Sequence, residues 1–333
     1  MRIPSLSSIM LAAGLALTAA AASAATRPAT VPANYLTTPF GYMAPECVTI
    51  LKPYETLLGE RIVSKKDGAS RTIGRCAKPR YSRDGVALKT GRMASSATLD
   101  GYDLVAGAKL TTGVTFMHAG LTVPAAPILS GDQSIYLLTS IYNDVNPAAN
   151  ALRAVLGWNM FGKGERWSLA SMKLDNNGYV ISTPLAPVNP GDKVELAHNL
   201  EADGNAFLGP FSTGAYTYDF SQNARIDGSV LDQRANAVAA IAMASYGVDD
   251  CRKLPAGGRI DGDYSLLQRR DVEEDPSSRL VKTVVAQQSL CNMKITLTAA
   301  PTYQYSPLFS ITYSADTPPV SQGRSARITY IAN

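Results

Sequence analysis

Short runs of β-branched and aromatic residues, separated by turn sequences, fill the chain from residue 134 to its end. Residues 134–142 read SIYLLTSIY, residues 175–178 read DNNG and residues 189–192 read NPGD. The Asn-Gly pair supplies the positive φ angles that a tight hairpin turn needs. Later runs of the same kind are RLVKTVVAQQSL, MKITLTA, LFSITYSA and ARITYIA. This spacing predicts antiparallel strands, and their number requires two stacked sheets, an all-β sandwich.

One segment departs from this pattern. Residues 234–247 read RANAVAAIAMASYG, with Val238, Ile241, Ala242 and Ser245 at helical spacing. Alanine is the best helix former among the amino acids. Local sequence alone therefore predicts a helix here.

The first 24 residues carry the pattern of a secretory signal peptide. A single charge at Arg2 precedes an apolar run, and residues 22–24 form an A-x-A cleavage site. This pattern predicts a signal peptide at 1–24 and a secreted protein, periplasmic or extracellular. Residues 25–39, rich in Pro, Thr and Ala, are expected to form a mobile leader. The remainder divides into an N-terminal extension with the first strands (40–127) and the main β-sandwich (128–333), and no later segment is expected to span a membrane.

Charge and cysteine usage narrow the classes of partner. The formal net charge is +4, from 31 basic and 27 acidic residues spread along the chain, so nucleic acid is not an expected partner. Four cysteines in an exported chain indicate two disulfides, for which three pairings exist. Because short loops close with less loss of entropy, Cys47–Cys76 and Cys251–Cys291 are favoured. With only two histidines and no Cys-x-x-Cys pair, no metal and no cofactor are predicted.

The chain contains no GxSxG, HExxH, P-loop or GxGxxG motif. Both histidines, His118 and His198, fall in predicted strands without a catalytic motif beside them, which favours structural roles. The aromatic residues of the predicted central strands allow two interpretations: core packing, or stacking on sugar rings or peptide side chains along an open sheet face. For the second interpretation the candidate contacts are Trp158, Asn159, Trp167, Tyr216 and Tyr218.

Several blocks carry a family resemblance: SGDQSIYLLTSIY, LRAVLGWN, RWSLASMKL, PLAPVNPGDKVEL and AIAMASYGVDDCRKLPAGG. Together they resemble secreted concanavalin-like sandwich proteins related to the glutamic peptidases (eqolisins). The resemblance implies an antiparallel jelly roll with an N-terminal extension and a strand, not a helix, in the alanine-rich segment. It also implies a catalytic Gln and Glu at positions that here hold Gly157 and Ala244. Neither residue can polarise a carbonyl or transfer a proton.

Three functions remain as hypotheses, the third of which is a surface or envelope interaction protein without a small ligand. The first is non-catalytic binding of an extended polymer, glycan or peptide, in the groove of the concave sheet. The second is an acid-acting secreted hydrolase in which a displaced carboxylate replaces the missing pair. Asp219 is the weak candidate for that carboxylate, with Glu165 and Glu195 as further possibilities. The sequence says nothing of the oligomeric state.

Overall fold

A computed structural model describes residues 27–82, 85–88, 104–112, 114–143, 151–175, 177–200, 211–217, 224–227, 237–268, 284–287, 290–298, 308–315 and 329–332. The signal peptide predicted at 1–24 lies outside the described residues. Those described residues include no helix that could span a lipid bilayer.

The N-terminal part forms eight short strands in chain order. They are β1 (Leu36–Thr38), β2 (Gly41–Met43), β3 (Val48–Ile50), β4 (Glu55–Leu58), β5 (Arg61–Ser64), β6 (Ser70–Thr72), β7 (Arg80–Tyr81) and β8 (Ala87–Leu88). Strands β1, β2, β7 and β8 form one small sheet, and β4–β6 form a three-stranded sheet.

In the described part of the chain, sixteen further strands build two large sheets together with β3. They are β9 (Leu104–Thr112), β10 (Val114–Thr122), β11 (Ser134–Asn143), β12 (Ala151–Trp158), β13 (Trp167–Leu174), β14 (Val180–Ser182), β15 (Ala186–Pro187), β16 (Lys193–Leu200), β17 (Phe211–Thr217), β18 (Ala224–Asp227), β19 (Ala237–Tyr246), β20 (Arg259–Gln268), β21 (Val284–Gln287), β22 (Lys294–Thr298), β23 (Leu308–Thr312) and β24 (Thr329–Ala332).

The two large sheets differ in width. The ten-stranded sheet runs β24-β21-β9-β19-β11-β12-β13-β14-β3, with β15 beside β13. The seven-stranded sheet runs β18-β17-β16-β10-β20-β23-β22. All pairings are antiparallel except that of β14 with β3 at one edge. The predicted all-β antiparallel sandwich is confirmed, and β9 and β10, which precede residue 128, are interior strands of it.

A hydrophobic core joins the inner faces of the two sheets. It combines Leu137, Leu156 and Leu169 of the ten-stranded sheet with Met117 and Leu196 of the seven-stranded sheet, all of them buried. A second core lies on the outer face of the ten-stranded sheet, under the N-terminal strands. Strands β12 and β13 are buried at every position because both of their faces are covered. Double coverage explains why these strands read as continuous apolar runs instead of alternating.

The alanine-rich segment is a strand. Ala237–Tyr246 pairs with β11 over its whole length, from Asn143↔Ala237 to Ser134↔Tyr246. The strand implied by the family resemblance is confirmed, and the helix predicted from local propensity is wrong. Tertiary pairing outweighs alanine's preference, which amounts to less than about 1 kcal/mol per residue.

The predicted turns hold the strands in register. Leu174 pairs with Val180 across the Asn-Gly turn, where Gly178 has φ of 79° and the Asp175 carboxylate accepts from the Tyr179 amide at 2.7 Å. In the NPGD turn, Gly191 has φ of 91°. Two disulfides, Cys47–Cys76 and Cys251–Cys291, each span 5.5 Å between Cα atoms, and this is the pairing that the loop lengths favour.

Candidate functional site

The two positions that match the catalytic pair of the glutamic peptidases lie on one face of the ten-stranded sheet. Gly157 of β12 and Ala244 of β19 are both register partners of Tyr136 on the strand between them. Two strand spacings put their Cα atoms about 10 Å apart. The register therefore brings the two positions together around Tyr136, without an acid or an amide at either one.

Packing explains why position 157 carries no side chain. A Cβ atom there would lie 2.8 Å from the Met160 Sδ atom and 3.1 Å from Tyr136 Cδ1, and its contact with Met160 Cγ would be closer still. Met160 is itself buried, in the core of the outer face. The space that a catalytic side chain would need is therefore filled by a thioether and a phenol ring.

Tyr136 is a fixed hydrogen-bond donor in this arrangement. Its hydroxyl donates to the Thr37 carbonyl oxygen at 2.8 Å, and its side chain is fully buried. Burial raises the pKa of Tyr136 to about 12, so the phenol stays protonated. The Tyr246 ring packs edge-on against it at 6.1 Å between centroids. A neutral, buried phenol held by a backbone carbonyl supplies no general base at this position.

The N-terminal strands cover this face. The Phe40 ring lies over the Arg153 guanidinium, 4.3 Å from centroid to Cζ, and Arg80 donates to the Phe40 carbonyl at 3.1 Å. Val31 and Tyr35 are buried in the same core, so the segment predicted to be a mobile leader packs against this face through these two side chains. The predicted open groove is not found on this face, because the extension provides the apolar side chains that close it.

Apolar burial fixes the cover on this face. Val31, Tyr35, Phe40, Tyr42 and Met43 are all buried in the outer-face core. Each such side chain gains roughly 1.5–3 kcal/mol from burial, which the entropy lost in ordering the segment partly offsets. An external polymer would have to displace these side chains to reach the sheet.

The two tryptophans proposed as ligand contacts point to the other side of the sheet. Trp158 and Trp167 are register partners with ring centroids 5.6 Å apart, and both are buried in the core between the sheets. In this conformation neither ring is accessible to a ligand. A binding role for Trp158 and Trp167 stays a prediction, and it would require a conformation in which the rings are exposed. Of the two interpretations of these rings, the geometry favours core packing.

Asn159 stabilises the loop that follows β12. It adopts a left-handed conformation with φ of 51°, one in which asparagine is more common than most residues. Its side-chain nitrogen donates to the Gln133 carbonyl at 3.1 Å, and its side-chain oxygen accepts from the Gly164 amide at 3.2 Å. Both the nitrogen and the oxygen of the Asn159 side-chain amide are therefore hydrogen-bonded within the protein.

The remaining candidates belong to other parts of the chain. Glu165 is exposed in the loop between β12 and β13, and Glu195 lies on β16 in the opposite sheet. Tyr216 lies on β17 of that same sheet, while Tyr218 and Asp219 lie outside the described residues. Among the described carboxylates, none of the named candidates reaches positions 157 and 244.

The outer face of the seven-stranded sheet gathers polar residues on three adjacent strands. Glu195 of β16 and Asp263 of β20 are both register partners of Gly120 on the central strand β10. His118, two residues before Gly120, places its Nε2 atom 3.6 Å from a Glu195 carboxylate oxygen. Ser265 is the register partner of His118. A histidine and two carboxylates are thus arranged around a buried glycine, Gly120.

This set is accessible to solvent. The side chains of His118 and Glu195 are 20% and 22% exposed, and Asp263 and Ser265 are half-buried. On the ladder, Tyr216 is the register partner of Glu195 and extends the row by one strand. No sequence signal pointed to this set, because its members lie far apart along the chain and only the strand pairing unites them.

The second histidine has a different environment. His198 lies on the inner face of β16, fully buried, with Nε2 3.0 Å from the Thr139 hydroxyl. Burial lowers its pKa from 6.5 to about 3, so the imidazole is neutral in the folded protein. This placement fits a structural role. Within the described residues, no three His, Cys, Asp or Glu side chains are placed to hold a metal ion.

Comparisons with known proteins show a distant likeness of fold. No family model and no curated protein matches the chain. Scytalido-glutamic peptidase with a peptide-based transition-state analogue is 13% identical, covering 63% of this chain and 98% of its own, with a TM-score of 0.41. SCP-B, a peptidase of the eqolisin family in complex with the tripeptide Ala-Ile-His, is 11% identical with the same coverage of both chains, and its TM-score is 0.38. An ancestral congerin is 10% identical, covering 48% of this chain and 91% of its own, with a TM-score of 0.25. At these TM-scores the likeness assigns no activity, and the fold class rests on the chain's own sheets.

Proposed function

We propose that this chain is an exported protein that binds an extended glycan, without cleaving it, on the outer face of the seven-stranded sheet. The observation that carries the proposal is the row of Glu195, Gly120 and Asp263 with His118 beside it. Carboxylates and an imidazole suit the hydroxyl groups of a sugar, and Glu195, Asp263 and His118 are all partly exposed on this face. Tyr216, and by its position in the chain Tyr218, are the proposed aromatic contacts.

The covered face supports placing the ligand on this sheet. The ten-stranded sheet, where the family resemblance puts the groove, is closed by residues of the chain itself. Of the two large sheets, the seven-stranded sheet carries the polar and partly exposed outer face. An extended peptide is the competing ligand, and peptide arrays test it beside the glycans.

Export is supported by the cysteines and by the N-terminal sequence. Two disulfides are typical of proteins in oxidising compartments, and residues 1–24 have the pattern of a signal peptide. Whether the protein stays in the periplasm or reaches the medium is decided by cell fractionation, with detection of the processed chain.

The test is binding to arrays of neutral glycans and of peptides, followed by titration of the best ligand. Glu195→Gln and Asp263→Asn should each weaken glycan binding at least tenfold, because each removes a charge-assisted hydrogen bond of about 1.5–3 kcal/mol. Glu165→Gln, an exposed carboxylate elsewhere, is the control and should leave affinity unchanged. If folded protein binds no glycan on the arrays, or if neither substitution changes the affinity, the proposal is refuted. Selective binding of peptides would show that the ligand is a peptide and not a glycan.

A second candidate function is an acid-acting hydrolase with a displaced carboxylate. It is favoured by one observation: Glu195 lies beside His118 and across Gly120 from Asp263, so two partly exposed carboxyl groups lie on adjacent sides of one strand. This function predicts cleavage of denatured protein at low pH, abolished by Glu195→Gln. Loss of cleavage in Asp219→Asn instead would assign the carboxylate to that residue. Activity no greater than that of buffer at every pH would exclude the hydrolase.

A further inference from the structure

The three-stranded sheet of β4–β6 is a separate small body on the surface of the sandwich. Its core consists of Leu51, Leu57, Ile62 and Ile73, which pack with Ile181 of β14. The disulfide Cys47–Cys76 ties its two ends together. The rest of its surface is largely exposed, so its charged side chains face solvent on a fixed support.

The segment that contains this small body has a net positive charge slightly greater than that of the whole chain. Residues 48–82 contain eight Lys and Arg against three Asp and Glu, a net charge of +5, whereas the whole chain has +4. The composition of the full sequence conceals this, because the remaining residues are nearly neutral in sum. A local excess of this size creates a positive potential that attracts anionic polymers.

Only part of this charge is neutralised within the protein. Arg71 pairs with Glu55 at 2.5 Å, which lowers the pKa of that carboxyl, and Arg61 donates to the Ser70 hydroxyl. Glu60 and Asp67 are the other acids, and Asp67 accepts from the Ala69 amide inside the hairpin turn. Five exposed cations make no ion pair with any described residue: Lys52, Lys65, Lys66, Arg75 and Lys78.

An exposed aromatic ring lies among these cations. Tyr54 is 40% exposed, and the Lys52 ammonium lies 5.8 Å from its ring centroid. The Lys65 amide donates to the Tyr54 carbonyl at 2.6 Å, which holds the Lys65–Lys66 pair beside the same ring. A tyrosine flanked by lysines can stack on a sugar ring while the ammonium groups pair with its acidic substituents.

We propose that this basic three-stranded sheet binds an acidic polysaccharide, through Tyr54 and the unpaired cations around it. The chemistry favours a glycan over a nucleic acid, because single-stranded nucleic acids are bound by several aromatic rings that stack successive bases, and this sheet exposes one ring. The disulfides also fit an oxidising compartment outside the cytoplasm. This site shares no residue with the proposed neutral-glycan face and does not depend on it.

The experiment uses the full chain and polygalacturonate fragments as the probe, with binding measured by calorimetry at low and at moderate salt. Wild-type protein should bind, with affinity falling at least tenfold between about 50 and 200 mM NaCl as counterions are released. The double variant Lys65→Gln/Lys66→Gln should lose at least tenfold in affinity. Tyr54→Ala should weaken binding severalfold without changing the salt dependence.

Lys163→Glu is the matched control. It changes the net charge by the same two units as the double variant, at an exposed loop on another part of the chain. It should leave affinity within about twofold of wild type, and circular dichroism should show all variants folded. Absence of polygalacturonate binding, equal losses in control and double variant, or equal or tighter binding of an oligothymidylate would each overturn the proposal. Failure of the neutral-glycan test would leave these outcomes unaffected.

Discussion

Position 157 shows how a single residue is determined by its neighbours. The strand pairing sets Gly157 beside Tyr136, and the chain turns back so that Met160 covers the same spot. Gly157 does not adopt a left-handed φ angle, so backbone conformation is not what requires glycine here. The requirement comes from the close approach of the Met160 and Tyr136 side chains. Ala244, on the other side of Tyr136, is likewise fully buried.

Gly157→Ala should therefore destabilise the protein by about 1–3 kcal/mol, the cost of overpacking a well-filled core. Urea unfolding provides the measurement. Gly74→Ala is the control, because a Cβ atom at Gly74 meets nothing within 4 Å, and it should change stability by less than about 0.5 kcal/mol.

A double variant makes the test specific. Met160→Ala removes the atoms nearest the new methyl group, so Gly157→Ala should cost less in the Met160→Ala background than in the wild type. If the two substitutions are strictly additive, the contact with Met160 is not what excludes a side chain from position 157.

At the scale of elements, the N-terminal segment acts as part of the sandwich. Strands β1 and β2 bring Phe40 over Arg153 and the Thr37 carbonyl to Tyr136, so the outer face of the ten-stranded sheet has a core of its own. Arg153 is fully buried, and the Phe40 ring supplies a favourable surface for its guanidinium. The segment and the central strands therefore stabilise each other.

Phe40→Ala should lower the free energy of unfolding by about 3–5 kcal/mol, because it leaves a cavity and removes the ring that covers Arg153. Leu58→Ala, at a side chain that is 54% exposed on β4, should cost much less. Chemical denaturation of both variants decides the matter. Similar costs for the two would show that the N-terminal segment is not packed as a core element.

For the whole molecule, the buried His198 connects stability to pH. The folded protein keeps this imidazole neutral, with its pKa lowered by burial from the ordinary value of 6.5 to about 3. Below pH 6.5 the unfolded chain gains a proton that the folded chain cannot accept, so folding weakens as the pH falls from about 6.5 towards 3. An acid-acting hydrolase would thus work where the sandwich loses stability, a physical argument against the second candidate function.

The free energy of unfolding should consequently fall by up to about 1.4 kcal/mol per pH unit on account of His198 alone. Urea titrations between pH 7 and pH 4 should show a steeper loss in the wild type than in His198→Gln, where this titration is absent. Parallel curves for the wild type and His198→Gln would contradict the assignment.

Local and periodic signals account for what could be predicted. The turn chemistry at Asn177-Gly178 and the apolar runs of β11 and β12 define strands before any contact is known, because backbone conformation and strand period act over a few residues. The alanine-rich β19 was predicted correctly only through the family resemblance. Its own residues favour a helix, and pairing with β11 reverses that preference.

The sequence by itself determined the class of fold, the positions of many strands after residue 134 and the short-loop disulfide pairing, since these depend on local conformation and loop entropy. Only the tertiary structure decided which face of each sheet is covered. A one-residue change of strand register would exchange the faces, and nothing near Trp158 or Glu195 along the chain specifies which side is closed. The burial of the tryptophans and the polar row around Gly120 both follow from contacts between residues far apart in sequence, whereas the charge of residues 48–82 is a local property that the total for the whole chain conceals.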